Sequence, residues 1–410
     1  MTRINFLSLL LAVGTALFSW YLGVTSLITL FLIQTGSLLV YAVALETWYL
    51  GKDAPLRKLK LERTFSWKRL WYREVALLVT LGVIALLYWT AFRCYPERML
   101  KIYLPFLKVF APILLGLSLP YFALMDVVDP EEADATVRLG KSIVTFKPHL
   151  TRFEFLNYIR SWLVKAFYLT LMQPEMIEKY RVLFYFAWDK LAGNPLSIYL
   201  IASTICYAID LVYASAGYIL NFKLFGTHTR TAEPTLLGWV VTLACYWPMW
   251  GVLLYPNFFH YDAGGTWLKV FTTGSVWWWL WAVMIVGLEF IYAMSTVTAG
   301  IRFSNLTYRG LWKTGPYRFL KHPAYVAKNL SWWLISLPFI VNSGLSAVKC
   351  TLMLLGVNLL YYLRAKTEER HLLRYPEYQE YSRSMRRKYD IIHICKEKLW
   401  KSSRQKKAIR

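Results

Sequence analysis

The chain has 410 residues, 57% of them hydrophobic and only 17% charged, with 19 Trp and 29 Tyr. Soluble domains average about 25% charged residues, so the composition excludes an ordinary soluble domain and fits a membrane protein with aromatic anchors at headgroup level. The net charge of +23 comes from 47 Lys and Arg against 24 Asp and Glu. These cations sit in short loops beside apolar runs, which points to membrane orientation and anionic lipid headgroups as partners and away from nucleic acid.

The expected fold is all-α: a polytopic integral membrane helical bundle of about 9–10 transmembrane helices, each needing about 20 apolar residues, with a cytoplasmic C-terminal helix. Phe6–Leu22 and Ser26–Leu50 read as a tight hairpin, and Met1 to Val24 as a first span, not a cleaved signal. Glu46 falls near the end of the second run, within reach of the interface. The Lys52–Arg73 loop is strongly basic, so the positive-inside rule assigns it to the cytoplasm. Glu74–Phe92 and Lys101–Met125 read as two further spans. Asp126, Asp129, Glu131, Glu132 and Asp134, with His149 beyond them, lack the ligand spacing of a divalent-metal site and read as a solvated loop; no metal is expected.

Thr151–Met172 carries Arg152, Glu154, Arg160 and Lys165 among aromatic and aliphatic residues, the pattern of an amphipathic interfacial helix. Orientation counting leaves an alternative open. If the Lys52–Arg73 loop and the tail share one side, an even number of spans separates them. Without Thr151–Met172 the count is odd, so either it crosses inside the bundle or another run does not cross. Ser197–Leu220 contains Asp210; Thr235–Tyr255 is another run; Ser275–Ala299 opens on Trp277–Trp279 and buries Glu289. Ionisable groups inside spans are costly, which makes Asp210 and Glu289 site candidates, the alternative being carboxyls paired within the bundle. Ile301–Lys321 is a basic loop suited to the cytoplasm, Tyr325–Val341 and Leu345–Leu363 form a last hairpin, and the polar tail from Lys366 begins as a helix. The five Cys are scattered and read as structural thiols. Residues 1–230 are expected as an N-terminal membrane module without recognisable motifs, and residues 231–410 as the part with chemistry.

Two polar stretches flank the last hairpin. Gly315-Pro316 gives a turn that lets backbone approach a ligand closely. His322-Pro323 suits a helix start, whose free N–H groups favour a carboxylate or phosphate. Tyr325, Asn329 and Trp332 follow at spacings of four and three, one helix face able to hold a purine and its ribose; the alternative is interfacial aromatics with a packing Asn. At the other mouth Tyr361, Arg364 and Glu368 share a face, with His371 three further on and Glu369 about 100° round the helix. Arg364 ends an apolar run, where a guanidinium needs an anionic partner: either an ordinary pair with Glu368, or an anionic substrate.

Together, Gly-x-Tyr-Arg-x-x-x-His-Pro-x-Tyr, the hairpin, Arg-x-x-x-Glu-Glu and Tyr378-x-x-Tyr381 resemble the isoprenylcysteine carboxyl methyltransferase family and the related membrane phospholipid methyltransferases, over about residues 275–394. The resemblance implies an S-adenosylmethionine-dependent methyltransferase acting at the cytoplasmic membrane interface on a lipid or lipidated acceptor. It implies a cofactor site lined by Tyr317, Arg318, His322, Pro323, Tyr325, Glu368 and Glu369, joined on the reading above by Gly315 and Asn329. Arg364 and Glu369 are the expected catalytic residues, and Arg364, Trp332 and Glu289 the expected acceptor contacts. Lys321 stands where the family usually has Arg before His-Pro. No nucleophile–base constellation is evident, which favours an acceptor oxygen already ionised, a carboxylate or phosphate, over an amine. The competing expectations are an NADPH-dependent sterol or lipid reductase, whose family carries a related His-Pro-x-Tyr segment, and a non-enzymatic transporter or scaffold.

Overall fold

The computed structural model describes residues 2–91, 93, 97–129, 131 and 134–389, with the backbone alone at 91, 98, 99 and 190. Cys94, Cys395, Glu132 and the tail beyond Tyr389 lie outside the described residues. The architecture is nearly all helix. In chain order the helices are α1 (Thr2–Tyr21), α2 (Leu27–Leu50), α3 (Trp67–Ala91), α4 (Glu97–Val128), α5 (Ala135–Thr145), α6 (Arg152–Phe184) and α7 (Pro195–Ile219). There follow α8 (Leu236–Leu243), α9 (Tyr255–Phe258), α10 (Val276–Ala299), α11 (Pro323–Ser336), α12 (Pro338–Val341), α13 (Gly344–Leu372) and α14 (Pro376–Tyr389). One two-stranded antiparallel ribbon, β1 (Thr231–Ala232) with β2 (Thr307–Tyr308), ties the loop before α8 to the loop after α10.

Among the described residues, seven helices are long and apolar enough to cross a membrane: α1, α2, α3, α4, α7, α10 and α13. The protein is a multi-pass integral membrane protein. Their starts follow local chemistry. Ser26, Asn194 and Ser275 each accept a backbone N–H at the N-terminus of α2, α7 and α10, satisfying donors that a helix start leaves free.

Two expected spans are not continuous helices. Thr235–Tyr255 holds α8 only to Leu243, then a wide-turn segment, Met249–Leu254, after Pro248, which has no N–H to give. Tyr325–Val341 breaks at Leu337, which adopts the left-handed conformation (φ 39°) ahead of Pro338, because proline disfavours the helical region for the residue before it. Thr151–Met172 is not a separate interfacial helix. It is part of α6, 33 residues long and about 50 Å end to end, packed on α2, α3, α4 and α7 and burying Val164, Tyr168, Met176 and Tyr180.

The expected solvated acidic loop is instead a buried ionic junction. Asp126 is fully buried and accepts from Arg69 Nε at 2.7 Å, Arg73 Nη1 at 3.0 Å and the Ser66 amide at 2.7 Å. Asp129, also fully buried, takes Lys223 Nζ at 2.7 Å. Asp134 caps α5 through the Val137 amide. These carboxylates bind the start of α3 to the end of α4 and to the loop after α7. Glu46 likewise turns inward to meet Arg302 Nη2 at 2.7 Å.

The largest core cluster joins α1, α2, α4, α6, α7 and the end of α10 through residues such as Leu9, Phe31, Phe106, Met176, Tyr213 and Val297. On α1, Asn5 Nδ2 donates to the carbonyls of Val297 (3.0 Å) and Thr298 (3.2 Å), so the first helix grips the C-terminal end of α10. Gly217 on α7 lies so close to the Phe303 backbone that an added Cβ would run into its carbonyl oxygen. Gly217→Ala is therefore expected to destabilise the fold by about 1–3 kcal/mol, the usual cost of overpacking, and to lower the thermal midpoint of the purified protein. An unchanged midpoint would mean that the 303–305 loop moves aside freely.

A candidate active site around Arg364

A cleft of about 1060 Å³, part of it open solvent, lies between the end of α10, the loop that follows, α11, α13 and α14. The sequence builds its walls from three sources. The last hairpin supplies His322, Tyr325, Lys328, Tyr361, Arg364 and Glu368. The post-α10 loop supplies Asn305 and Tyr308, and α14 supplies Tyr378 and Tyr381.

The 315–318 turn is held by its glycine. Gly315 has φ +57°, and a Cβ there would strike Thr298 Oγ1, so both conformation and space demand glycine. The turn delivers Tyr317 into the cleft wall, where Tyr381 Oη donates to its carbonyl at 2.7 Å. Burial, then the nearby Glu368, pushes the Tyr317 phenol well above its usual range. It is a donor at neutral pH, not a base. Lys321 Nζ donates to Ser382 at 2.9 Å, a second tie between the turn and α14.

His322 caps the approach to α11 and stacks flat on Tyr325 at 5.3 Å. Its Nε2 stands 3.3 Å from Glu369 Oε1, and Lys321 and Lys366 reach the other oxygen of Glu369 at 3.6 and 3.8 Å. Tyr325 Oη donates to Glu368 Oε2 at 2.7 Å. Glu368 Oε1 makes no hydrogen bond among the described residues, and the side chain is 44% exposed. Glu369 thus sits behind His322, while Glu368 faces the cleft.

Arg364 does not form the ordinary helical pair with Glu368. Its side chain, on a residue only 4% exposed, turns inward among the rings of Tyr325 (4.8 Å), Tyr246 (5.2 Å) and Tyr361 (5.7 Å). Nη2 donates to Asn305 Oδ1 at 2.7 Å and to Tyr246 Oη at 3.2 Å. Glu368 is drawn to α11 by the Tyr325 hydroxyl instead. Among the described residues no carboxylate lies within ion-pair distance of Arg364.

Lys328, which the sequence reading passed over, lines the same cleft. Its Nζ lies over the rings of Tyr292, Trp332 and Tyr361 at 5.3, 5.3 and 6.0 Å, with no carboxylate in ion-pair distance among the described residues. Such ring contacts are worth about 0.5–2 kcal/mol each, and the residue is half-buried at the cleft wall. The signal was in the sequence: a lysine inside an apolar run, at helical spacing from Tyr325 and Trp332.

The structure brings Tyr317, His322, Tyr325, Glu368 and Arg364 together at one cleft. Other predicted residues lie elsewhere. Gly315 packs on Thr298 and Thr2. Arg318 and Pro323 are off the lining, the former with its carbonyl accepting from Lys388. Asn329 bridges the hairpin, donating to the Tyr325 carbonyl and accepting from Asn358. Trp332 packs edge-on against Tyr361 at 5.4 Å. Glu289 is buried between α7 and α10, its carboxyl facing Ser203 and Tyr207 and outside the lining. Asp210 accepts the hydroxyls of Tyr292 (2.8 Å) and Thr296. Behind Glu368, a buried Glu233–His371 pair (3.6 Å) with Thr231 on His371 Nε2 (3.0 Å) fastens β1 to α13.

No curated protein and no solved structure matches the chain. Residues 280–374 match the isoprenylcysteine carboxyl methyltransferase family. The resemblance carried by the His322-Pro323 and Arg364–Glu369 motifs holds over that stretch, and the matched residues include His322, Tyr325, Lys328, Arg364 and Glu368 of the cleft.

Proposed function

We propose that the protein is an S-adenosylmethionine-dependent membrane methyltransferase that methylates an anionic oxygen of a lipid or lipidated acceptor. The observation that carries this reading is Arg364: a guanidinium buried among three tyrosine rings with no protein carboxylate to neutralise it. Leaving an uncompensated charge buried costs several kcal/mol, so the site is built for an anion that the chain itself does not contain. Within a segment matching a methyltransferase family, the acceptor is that anion.

The residues fit the methyl donor. Its cationic sulfonium and ammonium groups suit the free oxygen of Glu368 and the stacked faces of His322 and Tyr325. Its carboxylate suits the cationic wall of the cleft. When bound, S-adenosylmethionine supplies a methyl carbon on a positively charged sulfur. The chain's own work is then alignment and exclusion of water: Arg364 fixes the acceptor oxygen, Asn305 and Tyr246 fix Arg364, and the tyrosine walls keep the seat dry. A carboxylate or phosphate oxygen arrives ionised, so no side chain has to take a proton. Glu369 acts through His322 as a positioning residue.

On this reading residues 231–410 are the catalytic unit, and residues 1–230 brace it through Asn5 on the end of α10 and Glu46 on Arg302. The basic stretch 52–66 before α3, the cleft and α14 face the cytoplasm, where anionic headgroups concentrate. The test is to incubate membranes containing the protein with donor labelled in its methyl group and extract the lipids. Protein-dependent label in the lipid phase, carried by a carboxylate or phosphate lipid and not by an amine lipid, is the expected result. Label confined to the aqueous phase across a panel of carboxylate, phosphate and amine lipids contradicts it.

A further inference from the structure

Resting on the methyl-transfer reading, we infer that the acceptor is a lipid phosphate monoester, seated between Arg364 and Lys328. The two cations come from different helices, α13 and α11, yet converge on one ring: Arg364 lies 5.7 Å and Lys328 6.0 Å from the Tyr361 centroid. Both line the same cleft, and among the described residues neither has a carboxylate within ion-pair distance. Asp210 acts on Lys328 electrostatically from beyond ion-pair distance. Asp210 accepts from Tyr292 and Thr296, and Glu368 accepts from Tyr325.

A carboxylate acceptor brings one charge and two oxygens to this pair of cations. A phosphate monoester carries up to two negative charges near neutrality and three terminal oxygens, enough to meet a forked guanidinium and a point-charge ammonium together. The lipid source follows from the surroundings. The hairpin that holds both cations exposes Val326, Leu330, Leu352, Leu355 and Leu359 on its outer faces, so an anion arriving along it brings a hydrocarbon chain. In the transfer, a phosphate oxygen lone pair forms the new O–C bond while the C–S bond breaks, its electron pair leaving on sulfur. The dianion becomes a monoanionic methyl phosphodiester, and no proton moves. The product has one charge for two cations, which favours its release.

The test uses the full chain in nanodiscs of zwitterionic lipid. Affinities are measured for hexadecyl phosphate, hexadecanoate and inorganic phosphate, with S-adenosylmethionine binding recorded in the same samples. Hexadecyl phosphate is expected to bind at least about tenfold (1.4 kcal/mol) more tightly than hexadecanoate, with inorganic phosphate a poor competitor. Lys328→Met should narrow that ratio to about twofold, and Lys328→Arg should restore it. Equal affinity for the two lipids in the unmodified protein overturns the inference, as does a ratio unchanged in Lys328→Met. Inorganic phosphate competing as well as the lipid overturns the lipid assignment. Should Lys328→Met fail to fold, the comparison in the unmodified protein decides. Absence of S-adenosylmethionine binding would instead remove the methyltransferase reading itself.

Discussion

Arg364→Met is expected to lower kcat/KM for methyl transfer by about 30- to 5000-fold, the range that follows from losing a buried charge pair worth about 2–5 kcal/mol. The same substitution should weaken donor affinity far less than turnover, since the hydrogen bonds of Arg364 go to Asn305 and Tyr246 and only its contact with the Tyr325 ring reaches an expected donor contact. Stability gives the sharper readout. A buried guanidinium without a carboxylate is a liability in the empty protein, since taking an ion out of water costs several kcal/mol, and Met removes that cost. The thermal midpoint should therefore hold or rise while turnover collapses. A purely structural arginine would lose both together. Arg364→Lys should rescue poorly, because a single ammonium cannot keep Asn305, Tyr246 and the acceptor at once.

Glu369→Ala is expected to weaken S-adenosylmethionine binding by about 10- to 150-fold, corresponding to lost ionic contacts of about 1.5–3 kcal/mol in all. The cause is indirect. Glu369 holds His322 at 3.3 Å and neutralises Lys321 and Lys366 behind the ring. Without it, two lysines lose their partner and His322 loses the contact that sets its stack on Tyr325. Glu369→Gln, which keeps an acceptor but not the charge, should fall between wild type and Ala. Titration calorimetry on the three proteins checks the order. Equal affinity in all three would detach Glu369 from the site and leave Glu368 as the glutamate that meets the donor.

The membrane spans were legible because length and hydropathy of a run decide whether a helix can cross. The seven long helices all fall on runs that read as spans. The broken ones were harder only because Pro248 and Pro338 sit inside apolar text, where composition hides a missing N–H and a disfavoured conformation. The two polar motifs were legible as neighbours because helical spacing and a short hairpin bring His322, Tyr325, Arg364 and Glu368 within reach of one another.

What the sequence withheld depends on partners far along the chain. Asp126 looks solvated until Arg69 and Arg73 arrive from the start of α3, and Asp129 until Lys223 arrives from the loop after α7. Arg364 has an obvious local partner in Glu368, and only the fold shows that Tyr325 takes the glutamate and Asn305 takes the arginine. Asn329 shares a face with Tyr325, as spacing requires, yet Asn358 on the facing helix claims it. Glu289 carries the cost expected of an intramembrane carboxylate but faces α7 and not the cleft.

The proposed function requires this cleft to hold S-adenosylmethionine. Its most direct test is calorimetric titration of the detergent-purified protein with S-adenosylmethionine, and with NADPH in parallel. A dissociation constant on the order of 1 μM, about −8 kcal/mol, for S-adenosylmethionine and no heat from NADPH is the predicted result. Binding of NADPH without binding of S-adenosylmethionine would rule out methyl transfer here and assign the cleft to reduction.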